Sequence, residues 1–155
     1  MKNLFYIITL AVLVTACGKI DAEKKIIGTW QLQYIYLDDD GNPINLDKAE
    51  TYTKVDDAQC PLYSLIFTNS NECGLIGQYN NAQYARYTYE VNSNNINILE
   101  RCEFNAPAVT QHIAQFLGNP IKYKLKNNLL IIGYSITFYP GGDNMVIYGF
   151  YKRKN

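Results

Sequence analysis

The side chains in this sequence best able to do chemistry are four cysteines, a single histidine and a run of aspartates. Thiolate and imidazole groups are nucleophiles, bases and metal ligands, so their spacing decides what they can do. Cys60, Cys73 and Cys102 are scattered with no Cys-x-x-Cys pair, and His112 is the only histidine, so no zinc or other metal set is expected. A Ser–His–Asp or Cys–His pair would have to use His112, which sits at the border of an apolar stripe beside Gln111 and reads as a solvated or partly packed side chain. Asp38-Asp39-Asp40-Gly41 lacks the alternating ligand order of an EF-hand loop and reads as a polar turn. Gly141-Gly142 is a hairpin turn and not a phosphate loop, because no helix follows it. Paired carboxylates for sugar hydrolysis meet only in space, so the sequence leaves them open. Nothing here makes a positive case for an enzyme, and no cofactor is expected.

The fourth cysteine has a different setting. Lys2 precedes an apolar run from Leu4 to Val14, about the length of a signal-peptide core and shorter than the ~20 residues that span a bilayer. The run ends Val14-Thr15-Ala16-Cys17, which resembles a lipobox, the site where the lipoprotein pathway cleaves and acylates. The expected organisation is a lipoprotein signal peptide at 1–16, a lipidated N-terminus and charged tether at 17–26, and a folded domain at 27–155. Palmitate-type acyl chains on Cys17 would each add roughly 0.8 kcal/mol of membrane affinity per buried methylene, so several chains anchor firmly. Gly18, rather than Asp, follows the cysteine, which by resemblance to bacterial sorting favours the outer membrane. The expected location is therefore the cell envelope, lipid-anchored, with the membrane as partner.

Without residues 1–16 the chain keeps 155 − 16 = 139 residues, enough for one domain with a real core. The full chain has 14 basic and 14 acidic residues; losing Lys2 leaves 13 against 14, with no bulk attraction for nucleic acid. The charge is uneven. Asp38 to Asp57 holds seven acids and two lysines, while Gly118 onward holds six bases and one acid, Asp143. These runs read as solvated loops and edge-strand lysines.

The elements that must position such residues are strands. Tyr, Ile and Val in short runs suit strands better than helices. Thr29 to Leu37 alternates, with Trp30, Leu32, Tyr34 and Tyr36 on one face and Thr29, Gln31 and Gln33 on the other. Further strands are expected at Tyr63 to Thr68, Glu72 to Gln78, Tyr84 to Val91, Ile96 to Arg101, Ile121 to Lys126, Leu129 to Tyr139 and Asn144 to Lys152. Asn- and Gly-rich turns join most of them. Asp38 to Leu62 shows no clear periodicity. Val109, Ile113, Phe116 and Leu117 fall on one face of a helix that Gly118 and Pro120 stop. Eight strands with short turns and one helix between the fifth and sixth predict an all-β fold, an eight-stranded up-and-down antiparallel β-barrel or an open sandwich.

Ile27-Gly28-Thr29-Trp30 at the start of the first strand resembles the Gly-x-Trp signature of lipocalins. With the lipobox, the tether and the terminal Tyr151-Lys152-Arg153-Lys154, the layout is similar to lipocalin-like lipoproteins of Bacteroidota. That resemblance implies a barrel base of Gly28, Trp30 and a crossing basic residue, Arg153 or Lys152, over the tryptophan ring. The count of eight strands puts the Asp38–Leu62 segment and the helix at the opposite, open end, as two lids. On the same strand count Cys60 and Cys102 share that end, and Cys73 lies about six residues (~20 Å) away. A disulfide wants Cα atoms roughly 4.4–6.8 Å apart, so Cys60–Cys102 is the expected pair; the alternative is three free thiols.

Two function classes remain. In one, the barrel holds a small apolar or amphipathic ligand against Leu32, Tyr34, Tyr36, Phe67, Tyr87, Tyr89, Tyr134, Ile136, Phe138 and Tyr148. In the other, the same side chains fill the interior and the lipoprotein contacts another envelope protein. Cavity volume separates them: several hundred cubic ångströms favours a ligand, a packed interior favours the partner.

Overall fold

The structure, a computed structural model, describes residues 24–55, 62–68, 74–77, 84–104, 119–137 and 144–154. The expected helix Val109–Leu117, with His112, and Cys17, Cys60, Cys73 and Phe138 lie outside the described residues.

The fold is mostly one antiparallel sheet. Its nine described strands are β1 (Gly28–Asp38), β2 (Thr53–Val55), β3 (Ser64–Phe67), β4 (Gly74–Gly77), β5 (Tyr84–Val91), β6 (Asn95–Phe104), β7 (Ile121–Lys126), β8 (Leu129–Thr137) and β9 (Asn144–Arg153). The order is β2-β1-β3-β4-β5-β6-β7-β8-β9, and β1 pairs additionally with β9. Each expected strand has its counterpart. The addition is β2, a short strand inside the aperiodic segment after Asp38, paired to β1 as Ile35↔Val55 through Leu37↔Thr53. A single turn of 3-10 helix, Ala49–Thr51, precedes it.

Turn chemistry explains the meander. Asn127 and Asn128 take positive φ of 51° and 63°, the left-handed pair that a two-residue hairpin turn between β7 and β8 needs and that Asn tolerates. Between β5 and β6 the Asn92 side chain accepts hydrogen bonds from the amides of Asn94 (3.4 Å) and Asn95 (2.9 Å), closing the turn without backbone strain. The ladders are uneven, however. The β1–β9 pairing runs over eight register positions, from Trp30↔Arg153 to Asp38↔Val146, whereas β6 meets β7 at only two, Asn95↔Lys122 and Ile96↔Ile121.

Two apolar clusters result. The main one joins Trp30, Leu32 and Ile35 of β1 to buried residues of β3, β5, β6, β7, β8 and β9. Ile26, wholly buried in the helical turn 24–26, closes it at one end. The second cluster holds Ile131, Val146, Tyr148 and Phe150, with Tyr34, Tyr36, Ile44, Leu46, Ala49 and Tyr52. Residues alternate between the two clusters along β8 and β9, so they occupy opposite faces. Both strands are accordingly buried on both faces, which is why Leu129 to Tyr134 reads as a continuous apolar run rather than an alternation.

The register of β1 corrects one expectation. Pairing with β9 shifts between Leu32 and Tyr34, leaving Gln33 as an extra residue. A bulge of one residue sends every later side chain to the other face. Trp30 and Leu32 therefore share the main cluster with Ile35, while Tyr34 and Tyr36 turn to the second cluster with Tyr148.

Candidate functional site

Of the ten residues expected to line an interior, Leu32, Phe67, Tyr87, Tyr89, Tyr134 and Ile136 do converge in the main cluster. Tyr34, Tyr36 and Tyr148 do not: they pack on the opposite face. There Tyr34 stacks on Phe150 at 4.8 Å between ring centroids, and Tyr52 lies parallel to Tyr148 at 5.3 Å. The segment expected as a lid supplies the cover for that face. Ile44 and Leu46 press on Gly133, where an added Cβ would fall 2.6 Å from Ile44 Cγ2, and the Asn45 amide donates to Tyr148 Oη at 3.1 Å. For the described part of that segment the lid expectation fails for a plain reason: Ile44, Leu46, Ala49 and Tyr52 bury their apolar surface against β8 and β9.

The same strap is tied down by charge. Lys124 pairs with Asp47, whose carboxyl is held below the usual range first by that hydrogen bond, and Lys122 Nζ donates to Ile44 O at 3.2 Å. The aspartate run behaves as a turn. Asp38 is buried, and its Oδ1 accepts from the Asp40 amide and the Asn42 side chain, both at 3.1 Å. Burial raises the Tyr52 phenol to about 12, helped by neighbouring Tyr148 and Asp38. Among the described residues no three His, Cys, Asp or Glu side chains gather as a metal site, and no helix is long and apolar enough to cross a membrane.

In the main cluster the tyrosine hydroxyls already have partners. Tyr89 Oη donates to Thr68 O (2.7 Å), Tyr123 Oη to Asn92 O (2.9 Å) and Tyr151 Oη to Leu62 O (2.7 Å). These bonds tie turns and connections to the core, and burial raises the Tyr123 pKa. Among the described residues, a cavity between Leu62, Phe67, Tyr87, Ile98 and Ile132 measures about 10 Å³. That is at the lower limit for one water molecule and far below a ligand pocket of ~300 Å³ or more.

The third place of interest is the end where β1 begins and β9 finishes. Gly28 has φ +133°, a conformation other residues rarely take, and an added Cβ would stand 3.2 Å from Arg153 Nε. Arg153 Cζ lies 5.0 Å from the Trp30 ring centroid, and its Nη2 donates to Lys25 O (3.0 Å) and to Ile27 O. Trp30 Nε1 donates to Ile26 O at 2.7 Å. Gly28, Trp30 and Arg153 are thus brought together, with Arg153 rather than Lys152 over the ring. No family model, curated protein or solved structure matches this chain.

Beside Arg153 a groove of about 570 Å³ opens between Lys25, Trp30, Leu125, Lys126, Asn127, Asn128, Lys152 and Arg153. Lys25 and Lys126 were not singled out from sequence, and Lys152 was named only as the alternative to Arg153 over the ring. The surplus of bases after Gly118 carried part of the signal; that Lys25 joins them, 101 positions before Lys126, did not show. Of the expected disulfide pair, Cys102 lies in β6 and Cys60 lies outside the described residues.

Proposed function

We propose that this chain is a lipid-anchored protein of the cell envelope, attached through Cys17, whose domain is a β-barrel with a filled interior that acts as an interaction module and not as a carrier. The observation that carries this reading is the 10 Å³ cavity in the main cluster, walled by large apolar side chains. A barrel is supported by the eight-position β1–β9 ladder, which joins the two ends of the strand sequence. With hydroxyls already bonded to backbone carbonyls, the tyrosines of that cluster serve as packing and ties. The outer-membrane placement and the lipocalin-like resemblance rest on the lipobox, Gly18 and Gly28-Thr29-Trp30.

The carrier reading has one feature in its favour. The β6–β7 ladder of two positions is the weakest seam in the sheet, and parting it would widen the space beside Ile98. Native and denaturing mass spectrometry of the full chain, purified from the envelope of its host, decides between them. The expected result is a chain lacking residues 1–16, carrying acyl chains on Cys17, with no small molecule released on unfolding. An uncleaved, unacylated chain overturns the anchor. A stoichiometric releasable molecule overturns the filled interior.

A further inference from the structure

We infer that the basic groove at the base of β1 and β9 is a seat for anionic lipid headgroups, which holds this end of the domain flat on the membrane surface. The groove is lined by four cationic side chains, Lys25, Lys126, Lys152 and Arg153, and by no carboxylate among the described residues. All four are exposed, and Lys24 and Lys154 adjoin them in sequence, also exposed. They come from three places: the turn before β1, the β7–β8 hairpin and the end of β9. The sheet register brings them to one end, since Trp30 pairs with Arg153 and Leu129 with Lys152.

Their arrangement offers phosphate oxygens both positive charge and neutral hydrogen-bond donors. Two asparagines in left-handed conformation, Asn127 and Asn128, sit in the groove between the lysines as exposed, neutral hydrogen-bonding groups. Arg153 is held against Trp30 and the carbonyls of Lys25 and Ile27, so the lysines stand around a fixed cation. A cluster of cations beside an anchor is attracted to the negative surface of a bilayer within a Debye length.

The chain itself brings the groove to that surface, and here the inference rests on the proposed anchor at Cys17. Seven positions separate Cys17 from Lys24, where the described chain enters the base, a reach of at most roughly 25 Å. An acylated Cys17 would therefore keep the groove close to the headgroups, with the acidic Asp38–Asp40 turn at the other end of β1.

The test uses Trp30, the sole tryptophan, which lines the groove. The full chain is reconstituted into vesicles of phosphatidylcholine alone, or of phosphatidylcholine with phosphatidylglycerol, each carrying a headgroup spin label. Quenching of Trp30 is expected in the anionic vesicles, with loss in the neutral ones and at high salt. The combined variant Lys25→Gln, Lys126→Gln, Lys152→Gln should lose the quenching, while Lys48→Gln with Lys54→Gln should keep it. Arg153 is retained so that the Trp30 seat is undisturbed, and thermal unfolding checks that the variants fold. Should the triple variant not fold, the lipid and salt dependence of the unaltered chain still decides. Equal quenching in both vesicles, or none in either, overturns the headgroup seat and leaves the groove to an acidic protein partner. The mass of Cys17 in the same sample separates the two readings: an unacylated chain whose quenching still follows lipid charge sinks the anchor alone.

Discussion

Arg153 lies across the face of Trp30, its Cζ 5.0 Å from the ring centroid, and so joins the last residue of β9 to the third residue of β1. The guanidinium also donates to the carbonyls of Lys25 and Ile27, which fixes the helical turn whose Ile26 closes the core. A charge-assisted bond and a cation–π contact together suggest a loss of about 2 kcal/mol for Arg153→Ala. Arg153→Lys should recover only part of it, because an ammonium lacks the planar fork. Urea unfolding measures both; equal stability of Arg153→Ala and the parent chain would remove the base from the account.

Gln33 is the extra residue that turns Tyr34 and Tyr36 away from the main cluster. Its own side chain is exposed and, among the described residues, donates to the carbonyls of Gln31 and Leu32. Substitution to Ala should therefore change little. Deletion of Gln33 should be severe, above about 4 kcal/mol or outright failure to fold, because it returns two tyrosines to a filled face and removes Ile35 from it. A deletion variant with unchanged near-ultraviolet circular dichroism and unfolding midpoint would contradict the bulge.

The strap over β8 and β9 gives a separable prediction. In Gly133→Ala the new methyl would meet Ile44 Cγ2 at 2.6 Å and Leu46 Cδ2 at 2.9 Å, so these side chains must lift. A cost of about 1–3 kcal/mol is expected, with the strap loosened first. Hydrogen exchange at the Asn45 amide, normally bonded to Tyr148 Oη, should speed up. Amides of the β1–β9 ladder should hold their protection; equal loosening of both would show that strap and sheet open as one unit.

Alkaline pH tests the strap by a second route. Tyr52 is raised from 10.0 to about 12 in the folded chain, chiefly by burial. The unfolded chain then releases this proton at lower pH than the folded one, so stability is intact below about 10 and falls as pH rises toward 12. Tyr34 and Tyr123, also raised by burial, act in the same direction. Tyr52→Phe should flatten the decline over that window without abolishing it. An unchanged slope would mean that Tyr52 titrates as if in water.

Much of the sheet was legible in the sequence. The alternation in Tyr84 to Val91 and Ile121 to Lys126, and the turns at Asn92 to Asn95 and Asn127-Asn128, are local signals, set by side-chain period and by which residues tolerate a left-handed backbone. The site was less so. Six expected interior residues share the main cluster, but Tyr34, Tyr36 and Tyr148 carry the same alternating signal and pack on the other face. Alternation says that two faces exist and cannot count a bulge, which depends on the partner strand.

By itself, then, the sequence determined eight of the nine described strands, the turns at Asn92 to Asn95 and Asn127-Asn128, and the place of Gly28 and Trp30 at the start of the first strand, because each follows from bonds and contacts within a few residues. Tertiary structure alone decided the β1–β9 ladder, the bulge at Gln33, the strap against Gly133 and the meeting of Lys25 with Lys126 and Lys152. Those depend on hydrogen-bond register and packing between segments up to a hundred residues or more apart, and no local period in the chain encodes them.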